Sequence, residues 1–160
     1  MGSDLLPYNT VEGDIVQPFS FNLKNRQVLF VGGGKVAERK LKAILNEGCH
    51  ITVISPEVTH GIADCSVNII LRGFETTDIT EKYSLVFCCT DDRETNGKAA
   101  DLCKKLRIPV NIADNPEGSD FHTTSVIRSN DFVISISTEG KDPSKSKKLR
   151  EKLENFIKNI

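Results

Sequence analysis

A glycine-rich turn is the part of the sequence with the clearest chemistry. The stretch Gly32-Gly33-Gly34-Lys35-Val36-Ala37 fits the G-x-G-x-x-A pattern and comes directly after the apolar run Gln27–Val31. One glycine permits the tight turn, one lets the backbone approach a pyrophosphate, and the small last residue allows close helix–strand packing. The first backbone N–H groups of the following helix then bind the phosphates. The turn therefore predicts a dinucleotide site, with a glycine-rich turn that binds nothing as the alternative, and the cofactor-binding residues are Gly32, Gly33, Gly34, Lys35 and Val36.

The end of the second predicted strand bears on which dinucleotide binds. Rossmann domains place an acidic residue about 20 positions after the glycines, where it holds the adenine ribose. Here Ser55 occupies the strand end, Pro56 follows it, and Glu57 lies two residues beyond Ser55. A Glu57 carboxylate on the ribose diol favours NAD over NADP, and no Arg follows to bind a 2′-phosphate. A solvated loop glutamate is the alternative.

Polar residues also follow the fourth and fifth predicted strands. The carboxyl ends of parallel strands face the ligand crevice, which places Thr90 in the predicted cofactor site. Asp114 ends an apolar strand and is a candidate general base, or else it caps the turn that contains Pro116. His122 could face the same crevice, or it is an ordinary surface or packing histidine. The histidines and cysteines have no metal-ligand spacing, so no metal site is predicted.

Strand-like and helix-like segments alternate along most of the chain, which favours a parallel sheet. We predict an α/β fold, a Rossmann-like doubly wound parallel sheet, with the NAD-binding domain over residues 18–113. A helix of residues 36–45 is predicted to end at Gly48, and a second helix covers 93–106. The predicted strands are 27–31, 51–54, 68–71, 84–89 and 109–113.

The pattern changes after Asp114. Residues 121–128 and 132–137 are predicted to form a hairpin, and Asp142-Pro143 begins a helix whose apolar stripe reaches Ile160. A hairpin with one helix has too little core to fold alone, so it packs on the first domain or on a second copy of the chain. Residues 114–160 are therefore assigned as a small α+β appendage.

Composition excludes several classes of protein. The chain has 160 residues, 38% of them hydrophobic and 27% charged, with a net charge of −1. This is typical of one globular domain and argues against a general nucleic-acid binder. The absence of an apolar run of about 18 residues argues against a membrane span, and no signal peptide is predicted. Five cysteines without framework spacing indicate reduced thiols in a cytoplasmic protein.

The charge is unevenly distributed along the chain. Residues 141–160 contain seven basic and three acidic residues, a net charge of +4, so residues 1–140 carry −5. The basic face of the last helix is either a solvated surface or an attractor for a polyanionic substrate or an anionic neighbour.

Taken together, these motifs resemble the precorrin-2 dehydrogenase family, which forms the N-terminal part of sirohaem synthases. The resemblance covers about residues 18–158 and depends on the stretches NLKNRQVLFVGGGKVAERK, ITVISPE, CCTDDRETN, PVNIADNP, DFHTTSVIR and SISTEGKDPSKSKKLREKLE. It implies NAD-dependent oxidation of precorrin-2 to sirohydrochlorin by a homodimer whose appendages interlock, with residues 114–160 as the dimerisation and substrate-pocket segment. It also implies that Ser55, Pro56 and Glu57 bind the cofactor and that Asp114 acts in dehydrogenation.

The resemblance leaves two alternatives to a simple dehydrogenase. Some family members also insert Fe²⁺ into sirohydrochlorin, an activity that we expect less here because the sequence stops at Ile160. A non-catalytic module that senses NAD is the other alternative. The appendage departs from the family pattern, with Thr124 where many members have Pro and Ser129-Asn130 where many have Arg-Gly.

Overall fold

A computed structural model describes residues 18–138 and 142–157 of the chain. Its strands and helices follow the predicted order, with two short additional elements: α2 and a 3-10 helix at Thr76–Asp78. The elements are β1 (Gln27–Val31), α1 (Lys35–Lys42), β2 (His50–Ser55), α2 (His60–Ala63), β3 (Asn68–Leu71), β4 (Tyr83–Cys88), α3 (Arg93–Lys105), β5 (Val110–Ile112), β6 (Ser125–Arg128), β7 (Val133–Ile136) and α4 (Pro143–Ile157).

Five parallel strands form the main sheet, in the order β3-β2-β1-β4-β5. This order confirms the predicted α/β, Rossmann-like fold. The chain starts at β1, moves outward to β3, and crosses back to β4 on the other side of β1. The strand order therefore reverses between β1 and β4, which is the point where such sheets bind ligands at the carboxyl ends of their strands.

The sheet is buried on both faces because its central strands are apolar at successive positions. Val28, Leu29, Phe30 and Val31 of β1 are all fully buried. Since successive side chains point to opposite faces, Leu29 and Val31 pack toward α3 while Val28 and Phe30 pack toward α1 and α2. Phe30 also stacks on Phe87 of β4, with ring centroids 4.5 Å apart. Covered faces of this kind hold the strand ends rigidly.

The first helix is shorter than the sequence predicts. α1 ends at Lys42 with Ala43 as its C-cap, whereas we expected it to continue to residue 45 and end at Gly48. The chain turns early because the Ile44 N–H donates to the Leu41 carbonyl at 3.0 Å, a three-residue step. Gly48, with φ +72°, belongs instead to the turn before β2, where its carbonyl accepts from Asn25.

Hydrophobic periodicity does not predict α2 or the 3-10 helix. α2 has four residues and the 3-10 helix has three, which is too few to show a helical repeat. Their sequences also lack an apolar stripe. None of the described helices is long and apolar enough to cross a membrane.

The appendage consists of an antiparallel hairpin, β6 with β7, and α4 packed against it. Asp142 caps α4 as predicted, since its Oδ1 accepts from the backbone N–H groups of Ser144 and Lys145 at 3.0 and 3.1 Å. The predicted end of the apolar stripe, Ile160, lies outside the described residues. The hairpin is fastened to the first domain by the Arg128–Glu47 ion pair, at 2.6 Å.

Candidate functional site

One pocket contains all the residues predicted to bind the cofactor. It has a volume of about 830 Å³, and we call it the nucleotide pocket. It opens at the carboxyl ends of β1, β2 and β4. The predicted residues in its wall are Gly32, Gly33, Gly34, Lys35, Val36, Ser55, Pro56, Glu57 and Thr90.

The three glycines of the turn have different structural roles. Gly32 has φ +106°, and a Cβ there would lie 2.6 Å from the Cys89 carbonyl oxygen. A Cβ on Gly33 would lie 2.5 Å from the carbonyl oxygen of Glu57. A Cβ on Gly34 would meet no atom within 4 Å. The first two glycines therefore let the turn pack closely on neighbouring backbone, while Gly34 leaves open space at the pocket.

The start of α1 supplies the group that a phosphate needs. Gly34 is the N-cap and has no side chain to cap the helix, and its carbonyl accepts the first helical hydrogen bond from Glu38 N–H at 2.9 Å. The backbone N–H groups before Glu38 have no acceptor within the helix. Lys35 and Val36, which carry two of them, line the pocket. The open space at Gly34, these N–H groups and the Glu57 carboxylate together fit a dinucleotide.

Alanine at Gly32 and at Gly34 should have opposite effects. Gly32→Ala is expected to lower the free energy of unfolding by about 2–4 kcal/mol, because of its positive φ and the contact with Cys89. Gly34→Ala should change stability by no more than about 1 kcal/mol, since its Cβ meets nothing, yet weaken NAD⁺ binding at least about tenfold. Urea unfolding and NAD⁺ titration of both variants test this. Unchanged NAD⁺ affinity in Gly34→Ala would contradict the assigned phosphate site.

Sequence reasoning missed part of the nucleotide pocket. Phe74, in the loop after β3, and Thr95, in α3, also line it. The loop that carries Phe74 is held by Arg72, whose guanidinium donates to the Asp78 carboxylate and keeps the pKa of that carboxyl below its usual value. No motif marks this loop in the sequence, because its position depends on how β3 pairs with β2.

Asp114 lies beside both pockets rather than in the wall of either. It follows Ala113, which lines the second pocket, and its side chain is about one-third exposed. Its Oδ2 is 3.3 Å from Arg93 Nε, and its Oδ1 accepts from Asn96 Nδ2 at 3.0 Å. Asn96 in turn bonds Thr90, in the nucleotide pocket. The catalytic role of Asp114 stays a prediction.

The second pocket, of about 740 Å³, is strongly cationic. It lies between α1, β6 and α4, and we call it the basic pocket. Among the described residues that line it there is no carboxylate, and Val36 lines both it and the nucleotide pocket. His122 also lines this pocket, which agrees with the first of the two alternatives given for it above, a histidine that faces the crevice. Its cationic side chains are Arg39, Lys40, Arg128, Lys147 and Arg150.

Only two of these cations were expected from the basic last helix. Lys147 and Arg150 are on α4, whereas Arg39 and Lys40 come from α1. Burial lowers the pKa of the Lys40 ammonium, whose Nζ donates to Thr123 Oγ1 at 3.3 Å. Arg39 makes no ion pair with any described residue. The other three cations pair with carboxylates, Arg128 with Glu47, Lys147 with Glu151 and Arg150 with Glu154. Arg39 and Lys40 therefore supply the unneutralised positive charge next to the nucleotide pocket, and an anionic ligand would complete it.

A buried acceptor also lines the basic pocket. Asn111 is 3% exposed, and its Nδ2 donates to the Phe121 carbonyl oxygen at 2.8 Å. This bond fixes the amide, and the other end, Oδ1, is itself buried and has no hydrogen-bond partner among the described residues. Buried oxygen atoms without a donor are rare in folded proteins, so this amide is an unusual feature of the pocket wall.

The family model described as "Putative NAD(P)-binding" matches residues 19–125, which is more than half of the chain. The chain belongs to this NAD(P)-binding family. The match covers the whole five-stranded sheet and the start of β6, and it confirms that the chain binds NAD(P). Which residues bind the cofactor stays a prediction.

Curated relatives of this family member share its sequence over most of its length. A siroheme synthase of Thioalkalivibrio sulfidiphilus is 35% identical over 88% of the chain, and the siroheme biosynthesis protein met8 of Schizosaccharomyces pombe is 35% identical over 86%. The chain spans 29% and 54% of the length of these two relatives. The solved structure of SirC, a precorrin-2 dehydrogenase, is 26% identical with a TM-score of 0.70, and the match covers 88% of this chain and 70% of SirC. These matches confirm the resemblance drawn from the motifs.

Proposed function

We propose that this NAD(P)-binding protein oxidises precorrin-2 to sirohydrochlorin with NAD⁺ as its cofactor. The observation that carries the proposal is the pair of adjoining pockets, one fitted to a dinucleotide and one lined by five cations, with Asp114 beside both. The similarity to SirC and to siroheme synthases supports it. No observation favours added ferrochelation or a non-catalytic NAD sensor.

The nucleotide pocket supports NAD rather than NADP. Residues Gly32 to Val36 would hold the pyrophosphate, and Glu57 would hold the adenine ribose diol. Lys35, on the phosphate side, is the one basic side chain among the described residues of this pocket. A 2′-phosphate near Glu57 would therefore meet negative charge without an Arg to offset it. When bound, NAD⁺ supplies the acceptor for the hydride that precorrin-2 loses.

The basic pocket supports a tetrapyrrole with many carboxylates. Precorrin-2 carries eight carboxylates, and cationic side chains from α1, β6 and α4 surround the space. Arginine and lysine donate charge-assisted hydrogen bonds to carboxylates. The ligand and the basic pocket therefore match in charge.

Asp114 supplies the base that the oxidation needs. Conversion of precorrin-2 to sirohydrochlorin removes one hydride and one proton from the macrocycle. The proton needs an acceptor beside the basic pocket, and the Asp114 carboxylate is next to Ala113 in its wall. Arg93 pairs with this carboxylate through a side chain that is 84% exposed, so it can move aside without disturbing the core.

The direct test combines the protein with precorrin-2 and NAD⁺ and follows the appearance of NADH. We expect NADH and sirohydrochlorin in equal amounts, and a much lower rate with NADP⁺. Omitting precorrin-2 is the control for background reduction. If no NADH forms while the protein still binds NAD⁺, the proposed function is wrong and a sensing role gains support.

Neutralising Arg39 should weaken substrate binding specifically. Arg39→Gln is expected to raise the KM for precorrin-2 about tenfold, because a charge-assisted hydrogen bond to a carboxylate contributes about 1.5 kcal/mol or more. The KM for NAD⁺ should stay within about twofold. Lys104→Gln, which removes the same charge from an exposed position of α3 outside both pockets, is the control. Equal KM values in the two variants would contradict the substrate assignment.

We also propose a cytoplasmic homodimer. The five cysteines of each chain are free thiols, as expected in a reducing compartment. The appendage exposes large apolar side chains at Phe132, Val133, Leu149 and Phe156. Such a surface suits a second copy of the chain, in agreement with the interlocking appendages that the resemblance implies. Sedimentation at micromolar concentration tests it, and a monomer would refute it.

A further inference from the structure

Asn96 has a side chain that packing alone does not explain. It lies in the first turn of α3, where it is only 1% exposed. Its backbone N–H already donates to the Asp92 carbonyl at 3.0 Å, so the helix does not need its side chain. A buried amide costs free energy unless its polar atoms are paired. The hydrogen-bond partners of the Asn96 side chain should therefore explain why an amide occupies this buried position.

Two strand ends supply all the partners of this amide. Its Oδ1 accepts from the Thr90 backbone N–H at 3.1 Å and from the Thr90 hydroxyl at 2.8 Å. Its Nδ2 donates to the Thr90 carbonyl at 2.9 Å and to Asp114 Oδ1 at 3.0 Å. Asn96 therefore joins Thr90, two residues after β4 and in the nucleotide pocket, to Asp114, two residues after β5.

The orientation of the amide is fixed by Thr90. If it were turned over, its NH₂ group would face the Thr90 N–H, and its oxygen would face two acceptors, the Thr90 carbonyl and the Asp114 carboxylate. The group that meets Asp114 is therefore always an N–H donor. An amide N–H cannot accept a proton, so Asp114 Oδ1 is occupied by a donor in every state of the carboxyl.

The other groups that face Asp114 leave its second oxygen for proton transfer. Arg93, from α3, lies 3.3 Å from Oδ2 through an exposed side chain. Cys88, at the end of β4, and Cys89, directly after it, are the nearby titratable groups on the sheet side, and burial raises the pKa of both thiols, so they stay neutral. Oδ2 is then the one carboxylate oxygen that a proton can reach once Arg93 moves.

We propose that Asn96 is a positioning residue for the proposed oxidation, one that anchors Asp114 to the nucleotide pocket and confines its exchangeable proton to Oδ2. The inference rests on the proposed function, since Asp114 must act as the base. The inference goes beyond the proposed function because it names the residue that positions Asp114 and the oxygen atom that accepts the proton.

Asn96→Asp tests the proposal with the smallest change of shape. The new carboxylate still accepts from Thr90, but it places an oxygen against Asp114 Oδ1 where the N–H was. Two carboxylates in contact share a proton. We expect the acidic limb of the kcat profile to move up by about one pH unit or more, and kcat at neutral pH to fall about tenfold. The KM for NAD⁺ should stay within about threefold.

Asn46→Asp provides the matched control, because it makes the same chemical change at an exposed turn position. It should leave the pH profile as it is in the parent protein. If folded Asn96→Asp has the parent's acidic limb and kcat, the positioning role is wrong. A change in thermal stability alone, with the pH profile unmoved, would likewise overturn it, because a purely structural amide would behave in that way.

A measurement on the parent protein needs neither a folded variant nor turnover. We expect the side-chain NH₂ resonance of Asn96 and the carboxyl carbon resonance of Asp114 to titrate with the same midpoint by NMR. Asp114→Asn should abolish the titration of the Asn96 signal. Different midpoints would overturn the inference, whereas absence of NADH formation from precorrin-2 would overturn the proposed function, so the two failures are distinguishable.

Discussion

Asp114→Asn is expected to lower turnover of precorrin-2 by about two to four orders of magnitude while NAD⁺ affinity stays within about twofold. The amide keeps the volume of the side chain and an oxygen that accepts from Asn96 Nδ2, but it has no basic oxygen to take the proton. Asp114 does not line the nucleotide pocket, so NAD⁺ binding should be preserved. Initial rates of NADH formation and NAD⁺ titration measure the two quantities separately.

Asp101→Asn is the control for loss of one negative charge near the sheet. It lies on an exposed position of α3, outside both pockets, and should retain the parent rate. Asp114→Ala should lose turnover as Asp114→Asn does, because either variant lacks the base. Parent-like oxidation of precorrin-2 by Asp114→Asn would show that another group accepts the proton.

The nucleotide site was predictable because its determinants are local in the sequence. Gly32 to Val36 form one continuous stretch at the junction of a strand and a helix, so the motif and its flanking segments are enough to predict the phosphate-binding turn. Ser55, Pro56, Glu57 and Thr90 were found because parallel strands end at the same edge of a sheet. The alternation of strands and helices was enough to place those ends together.

The basic pocket could be predicted only in part, because it is assembled from distant segments. Arg39 and Lys40 lie on α1 between apolar residues, where charged side chains normally indicate a solvated face. They become pocket residues because the segment before β6 lies beside α1, where the Lys40 Nζ donates to Thr123, 83 positions away in the chain. The spacing of residues within α1 does not predict this contact with a distant segment.

Asn96 shows the same limit at the scale of one residue. In the sequence it is one polar residue among several in the predicted helix of residues 93–106. Its importance comes from the register of two strands, which brings Thr90 and Asp114 within reach of one amide. Polar residues that bridge strand ends need the tertiary structure to be recognised.

The buried cysteines are expected to make the fold unstable in alkali. Burial raises the pKa of Cys89 and Cys103 to about 12, and it raises that of Cys88 still further. In the unfolded chain these thiols would titrate near their ordinary value of about 8.5–9. All three are packed in the core of the sheet domain, so they can ionise only at the cost of burying a charge or of unfolding.

The sign of the effect follows from proton counting. Above about pH 9 the unfolded chain has lost three protons that the folded chain keeps, so stability is complete below that pH and falls as pH rises toward about 12. Each thiol contributes a slope of about 1.4 kcal/mol per pH unit, or about 4 kcal/mol for the three. Lys40, whose pKa is lowered by burial, opposes this slope below about pH 10.5, but only weakly because it lines an open pocket.

Urea unfolding at a series of pH values from about 8 to about 10.5 measures this slope directly. We expect the free energy of unfolding to fall by about 4 kcal/mol per pH unit over the upper part of this range, less the small opposing contribution of Lys40. Cys103→Ala should lower stability at neutral pH by leaving a small cavity, yet reduce the alkaline slope by about one third. Cys65→Ala, at a half-buried position, serves as the control for substitution itself. A slope that is unchanged in Cys103→Ala would mean that the buried thiols do not set the alkaline limit, and the lysine side chains that titrate near pH 10.5 would then account for it.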